Sequence, residues 1–273
     1  MHKLFDAHAS LIQRDVLDYH GTALAALDGR SFDIKDYVLD TDGRGISDIL
    51  LVAALSDNAL AEARMIGAVA LERPSRVRGI IAGCDPWQMS PTAMLQAWDG
   101  LPVKGARMLW NNQRDPQPVA PCFKDLARAG LSLEIDLQGS VQRDAAQLAE
   151  QVPEGTLVLS HAGRPDIAGG DLGAWQDGIR SMASRPNIVC KVSGLFRFCR
   201  PEAVDADAVR PVFDVLIRAF GPQRLIWGSD WPAVNGPAAL QDWITAFRSL
   251  IADLSDDEQA AICHETADKL YAR

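Results

Sequence analysis

Eight short apolar runs recur along this chain, and most are followed by a longer stretch with helical periodicity. The runs fall at 4–7, 48–54, 78–84, 105–110, 131–137, 156–160, 188–193 and 225–228. Amphipathic segments at 58–72, 118–129, 141–151, 172–183, 203–220 and 237–251 separate them, the first behind a Ser56-Asp57 cap. Apolar strands alternating with helices form a parallel sheet covered by helices. Eight of them without a mid-chain linker predict a closed (β/α)8 TIM barrel, distorted in places, as one domain over 1–273. An open doubly wound sheet is the competing architecture, but such sheets usually stop at fewer strands. The stretch 19–44, with Gly21, Gly29 and Gly43, is too long for an ordinary strand-to-helix connection. It reads either as a cap over the barrel mouth or as an irregular surface insertion. The tail 255–273 reads as a helix begun by Ser255-Asp256-Asp257-Glu258, with Leu270 and Tyr271 packing near its end.

Charge and cysteine usage narrow the partners. With 27 basic and 36 acidic side chains the formal charge is −9, which disfavours nucleic acid and anionic membrane surfaces. A small anionic substrate stays compatible, because a few arginines in a cleft outweigh diffuse charge. Cys84, Cys122, Cys190, Cys199 and Cys263 are scattered, odd in number and free of any CxxC pair, so a reducing compartment is expected. Neither a secretory leader nor a bilayer-length apolar run is visible, and a cytoplasmic location is the expectation. Association into a homo-oligomer is left open.

In an α/β barrel the polar residues that close apolar strands face the functional mouth. Four stand out: His8, Arg107, His161 and Asp230. Asp230 ends Leu225-Ile226-Trp227-Gly228-Ser229-Asp230 and is followed by Trp231-Pro232. A carboxylate there can take a proton from water, or it can be a turn or cap residue. His161 ends Leu157-Val158-Leu159-Ser160, where an imidazole can polarise a carbonyl, relay a proton, ligate a metal or simply hold structure. On the first strand, period-2 alternation would turn Asp6, His8 and Ser10 the same way. Arg107 requires an anion, either a substrate carboxylate gripped by its planar fork or a structural partner at Glu134 or Asp136. Lys191 and Ser193 share a strand face and are weaker candidates, with polar packing of the barrel wall as the alternative. His2, His20 and His264 read as surface or packing residues.

Several of these motifs stand in an order that resembles the amidohydrolase superfamily, in the branch holding sugar-acid lactonases and 2-pyrone-4,6-dicarboxylate hydrolase. They are Phe5-Asp6-Ala7-His8, Lys104-Gly105-Ala106-Arg107, His161-Ala162-Gly163-Arg164-Pro165-Asp166, Pro186 through Leu195, and Phe220-Gly221-Pro222 leading into Gly228-Ser229-Asp230-Trp231-Pro232. The resemblance spans nearly the whole length. It implies a distorted barrel and hydrolysis of a lactone or similar cyclic ester of a small carboxylated substrate. Asp230 is then the general base, His161 and His8 flank the carbonyl, and Arg107, with Arg164, Lys191 or Ser10, contacts the substrate.

One departure bears on cofactors. The family pattern on the first strand is His-x-His, and its second position here is Ser10, a poor zinc ligand beside imidazole. The expectation is therefore a site without metal; the alternative is a single zinc on His8, His161 and Asp230 with water in the open position. Rival functions are a lactone isomerase on the same scaffold, a zinc-dependent hydrolase or decarboxylase, and a non-catalytic binding protein.

Overall fold

The computed structural model describes residues 2–19, 27, 29–72, 76–111, 113–138 and 142–272. His20 lies outside them. Eight parallel strands pair in sequence order, β1 (Leu4–Ala9), β2 (Ile46–Val52), β3 (Val77–Gly83), β4 (Val103–Asn111), β5 (Ser132–Gln138), β6 (Leu157–Leu159), β7 (Ile188–Val192) and β8 (Leu225–Trp227). Between them run α1 (Ile34–Thr41), α2 (Ala59–Leu71), α3 (Pro91–Ala97), α4 (Val119–Arg128), α5 (Gln142–Gln151), α6 (Gly173–Ala183) and α7 (Ala206–Phe220), and α8 (Leu240–Leu250) follows β8. This is the (β/α)8 barrel expected from the eight apolar runs. No helix among the described residues is long and apolar enough to cross a membrane.

The segment 19–44 is not merely irregular where it is described, since it carries α1. Asp33 caps that helix by accepting from Lys35 N and Asp36 N, and Asp36 accepts in return from Asp33 N. The cap of α2 also differs from expectation: Asn58 Oδ1 accepts from Ala61 N, while Ser56 and Asp57 lie before it. At the other end of the chain, Ser255 and Glu258 form the anticipated capping box. The helix they start continues to Tyr271 through a π turn at Ala261–Glu265.

Strand alternation sorts the core into two layers. Leu133, Ile135 and Leu137 on β5 and Cys190 and Val192 on β7 join the large core between sheet and helices. Phe5, Ala7, Leu50, Val52, Ile81 and Ile226 form a second cluster inside the barrel, with Tyr271 of the C-terminal helix packed among them. Polar side chains of opposite parity on β5 and β7, Glu134 and Lys191, therefore meet within the lumen. β1 and β8 share no regular ladder. Their seam is closed by Asp6, which accepts from Ser229 N at 2.8 Å and His8 N at 3.0 Å, and by Asp230 N donating to His8 O at 2.9 Å.

Candidate active site

The groups that form the site lie toward the carboxyl ends of the strands. His8 comes from the end of β1, Arg107 from β4 and Asp136 from the upper half of β5. His161 and Arg164 belong to the turn after β6, Ser193 and Gly194 follow β7, and Asp230 follows β8. The backbone is strained here. Among the described residues, positive φ outside glycine occurs at Leu55, His161, Ala162, Arg164 and Asp230, all beyond strand ends. Such conformations cost about 1–3 kcal/mol each and persist only where surrounding contacts over-determine them. Those contacts are visible: Trp175 Nε1 on α6 donates to Ala162 O, and Ser229 Oγ donates to His8 O while accepting from Trp231 N. Gly194, at φ +65°, lets the chain pass close to the site, for a Cβ there would come within 2.7 Å of Asp230 Oδ2 and 2.8 Å of His161 Nδ1.

His8, His161 and Asp230 converge. Asp230 Oδ1 is 3.9 Å from His8 Nε2 and 3.8 Å from His161 Nδ1, and the two imidazole centroids are 4.5 Å apart. These separations exceed direct hydrogen bonds. Their three ligating atoms lie within 4.8 Å of one another, close enough for one shared atom, a metal ion or a water oxygen, to touch all three. Burial pushes both imidazoles well below their ordinary range, helped at His8 by His161 and at His161 by Arg197 and Arg107. They are neutral at physiological pH. Burial raises the Asp230 carboxyl, opposed by Arg197 and Arg107. Guanidinium groups only donate, so the 3.4 Å approach of Arg107 Nη2 makes His161 Nε2 the acceptor. The proton of neutral His161 then rests on Nδ1, which faces Ser193 Oγ at 3.1 Å.

Of the remaining candidates, Asp6 departs from the sequence expectation, while Arg107 and Lys191 take the structural alternatives weighed there. Asp6 does not share a face with His8: its Oδ2 accepts from Tyr37 Oη on α1 at 2.7 Å, in the helix layer. A register shift in the β1–β2 pairing between Asp6 and Ala9 breaks the alternation. Ser10 is likewise outside the His8–His161–Asp230 group, its hydroxyl donating to Val52 O at 2.8 Å. Arg107 takes the structural option weighed from sequence, with Nη1 on Ala53 O at 2.6 Å and Nη2 on Asp136 Oδ2 at 2.8 Å. Arg164 grips the same carboxylate through Nε at 2.5 Å and Nη2 at 2.8 Å. Burial alone would raise Asp136, yet the Arg164 hydrogen bonds and the charge of Arg107 hold it at about 2. Lys191 is fully buried and bonded to Glu134 Oε2 at 2.6 Å and Ala7 O at 2.7 Å, below the mouth. Outside the site, His2 pairs with Asp256 and His264 with Asp48, as surface or packing residues should.

Sequence reasoning missed Arg197. It lies in a one-turn helix, Leu195–Phe198, beyond β7, and its Nε stands 2.8 Å from Asp230 Oδ2. That contact is an ion pair without hydrogen-bond alignment, since neither atom has a hydrogen-bond partner among the described residues, and Arg197 Nη2 and His8 Nδ1 have none either. Only its place in the turn after Val192-Ser193-Gly194 could have signalled a role.

Comparison with known proteins agrees with the geometry. The Amidohydrolase family model matches residues 5–273. An L-fucono-1,5-lactonase of Burkholderia multivorans is 39% identical over 129 residues, 42% of this chain and 43% of that protein. The aligned stretches span half or less of the length of the curated relatives the chain matches. A crystal structure of an amidohydrolase from Burkholderia multivorans with bound zinc superposes with a TM-score of 0.86 at 23% identity, covering 99% of both chains. A Pseudomonas putida protein provisionally described as a 2-pyrone-4,6-dicarboxylic acid hydrolase gives 0.75 at 21% identity, covering 100% of this chain and 98% of that one. At these identities the structural likeness speaks to the fold.

Proposed function

This chain belongs to the amidohydrolase family, and from that premise we propose that it hydrolyses a lactone or similar cyclic ester with Asp230 as general base. One observation carries the reading: a buried carboxylate of raised proton affinity faces two neutral imidazoles across a gap one oxygen atom can bridge. The lactonase named among the relatives supports the choice of a cyclic ester.

In this mechanism Asp230 Oδ1 accepts a proton from water, whose oxygen adds to the ring carbonyl carbon. The Nδ1–H of His161 and the unpartnered Nη2 of Arg197 stabilise the oxyanion that forms. His8, neutral and in contact with the same gap, orients the water. Collapse of the adduct breaks the bond to the ring oxygen, and Asp230 returns its proton to that leaving alkoxide, giving a hydroxy acid. The raised proton affinity of Asp230 suits both halves of the cycle.

His8, His161 and Asp230 also fit one zinc ion in donor type and spacing. A zinc bound there would polarise the carbonyl and acidify water. Two features favour chemistry without it. Arg107 sets the His161 tautomer with its proton on Nδ1, and Arg197 adds a positive charge 2.8 Å from the carboxylate. Elemental analysis of purified protein, with activity measured before and after chelation, separates the two: activity lost on chelation and restored by zinc rejects the metal-independent route. NMR of the product distinguishes a hydroxy acid from an isomerised lactone. Wild-type turnover in Asp230→Asn would end the general-base assignment.

A further inference from the structure

The arginines of the site carry a statement about substrate charge. Among the described residues, Arg107, Arg164 and Arg197 surround two carboxylates, Asp136 and Asp230. The guanidinium edges best placed to take a carboxylate are occupied from within. Asp136, only 2% exposed, is held by Arg107 Nη2 and, in a two-point grip, by Arg164 Nε and Nη2. The second donor edge of Arg107 is spent on Ala53 O. What remains is Arg107 Nε, enclosed and without a hydrogen-bond partner among the described residues, and Arg197, which already lies against Asp230.

We infer that Asp136 is a built-in carboxylate that determines specificity: it fills the arginine fork a substrate acid group would use, so the chain prefers uncharged lactones to carboxylated ones. The inference rests on the lactone-hydrolase reading above. A substrate carboxylate would have to displace Asp136, leaving a buried acid without its partners, or share Arg197 with Asp230 and place two anions on one cation. Either arrangement is costly in a site this buried.

Matched lactone pairs test this, aldono-1,5-lactones against aldaro-1,5-lactones of the gluco, galacto and manno series, which differ by a carboxylate in place of a hydroxymethyl group. With wild-type protein the neutral member of each turned-over pair should be favoured in kcat/KM by on the order of 100-fold, the scale of an unpaired buried charge. Asp136→Asn, which keeps the shape and removes the charge, should narrow that ratio at least tenfold, chiefly through a lower KM for the aldarolactone. A wild-type preference for aldarolactones, or a ratio unmoved in a folded Asp136→Asn protein, overturns the inference and leaves lactone hydrolysis standing. Absence of turnover with every pair instead overturns the lactone-hydrolase reading, and this inference with it. The wild-type ratio decides even if the variant does not fold.

Discussion

Two buried ionic clusters lie at different levels of this barrel and are built on opposite terms. The lower one joins Glu134 of β5, Lys191 of β7 and Tyr271 of the C-terminal helix. Lys191 Nζ donates to Glu134 Oε2 and Ala7 O, and Tyr271 Oη donates to Glu134 Oε1 at 2.7 Å, so both carboxylate oxygens are used. The upper one joins the buried His8, His161 and Asp230 to Arg197, whose side chain keeps a small exposed edge. Yet Asp230 Oδ2, His8 Nδ1 and Arg197 Nη2 lack hydrogen bonds among the described residues, and His161 and Asp230 sit at positive φ. Unsatisfied groups and strained backbone cost stability, and folds tolerate them where chemistry needs them. The contrast separates a cluster that holds the barrel together from one that is kept ready to react.

Mutations should divide along that line. The largest effect is expected for Asp230→Asn, with turnover down by roughly 10²- to 10⁴-fold, the usual contribution of a general base. Its melting temperature should stay level or rise, because an under-satisfied charge has been removed; equal loss of activity and fold, read by thermal melting, would erase the distinction between the clusters. Glu134→Ala should instead destabilise the fold by about 3–5 kcal/mol, by stranding the Lys191 ammonium. In denaturant titrations, the double variant Glu134→Met with Lys191→Met should recover most of that loss, since apolar replacement of a complete buried pair is often neutral.

Asp136, beside the upper cluster at 4.0 Å from His161 Nε2, gives a pH test. Its carboxyl is lowered from 3.8 to about 2, so folding gains stability above pH 3.8 that disappears as pH falls through 2. The shift corresponds to about 2 kcal/mol. Unfolding curves of wild type and Asp136→Asn should accordingly draw together between pH 4 and pH 2; a constant gap would mean the ion pairs contribute nothing net. The smallest effect is expected at Tyr271→Phe, about 1 kcal/mol for one hydrogen bond to a carboxylate that Lys191 still holds. A much larger loss would show that the C-terminal helix closes the barrel through that one hydroxyl.

Local pattern carried much of this protein. Alternation of apolar runs and amphipathic segments was enough for eight strands and their covering helices, because burying a parallel sheet on both faces demands that periodicity. His8, His161 and Asp230 were legible for a related reason: a polar residue that closes an apolar strand has one place to go, the barrel mouth. Helix α1 was obscured by the broken periodicity of 19–44, and α3, seven residues long, was too short to register. The shared face of Asp6 and His8 failed because a register shift in strand pairing is set between strands, not within one.

The sequence by itself determined the barrel and the three residues that meet at its mouth, since strand period and strand end are properties of a short stretch of chain. Tertiary structure alone decided which charges meet. Asp136 claims both Arg107 and Arg164, and Arg197 reaches Asp230 from a turn with no periodicity of its own. Ion pairing depends on distances of a few ångströms between residues far apart in the chain, and no spacing along the polypeptide encodes them.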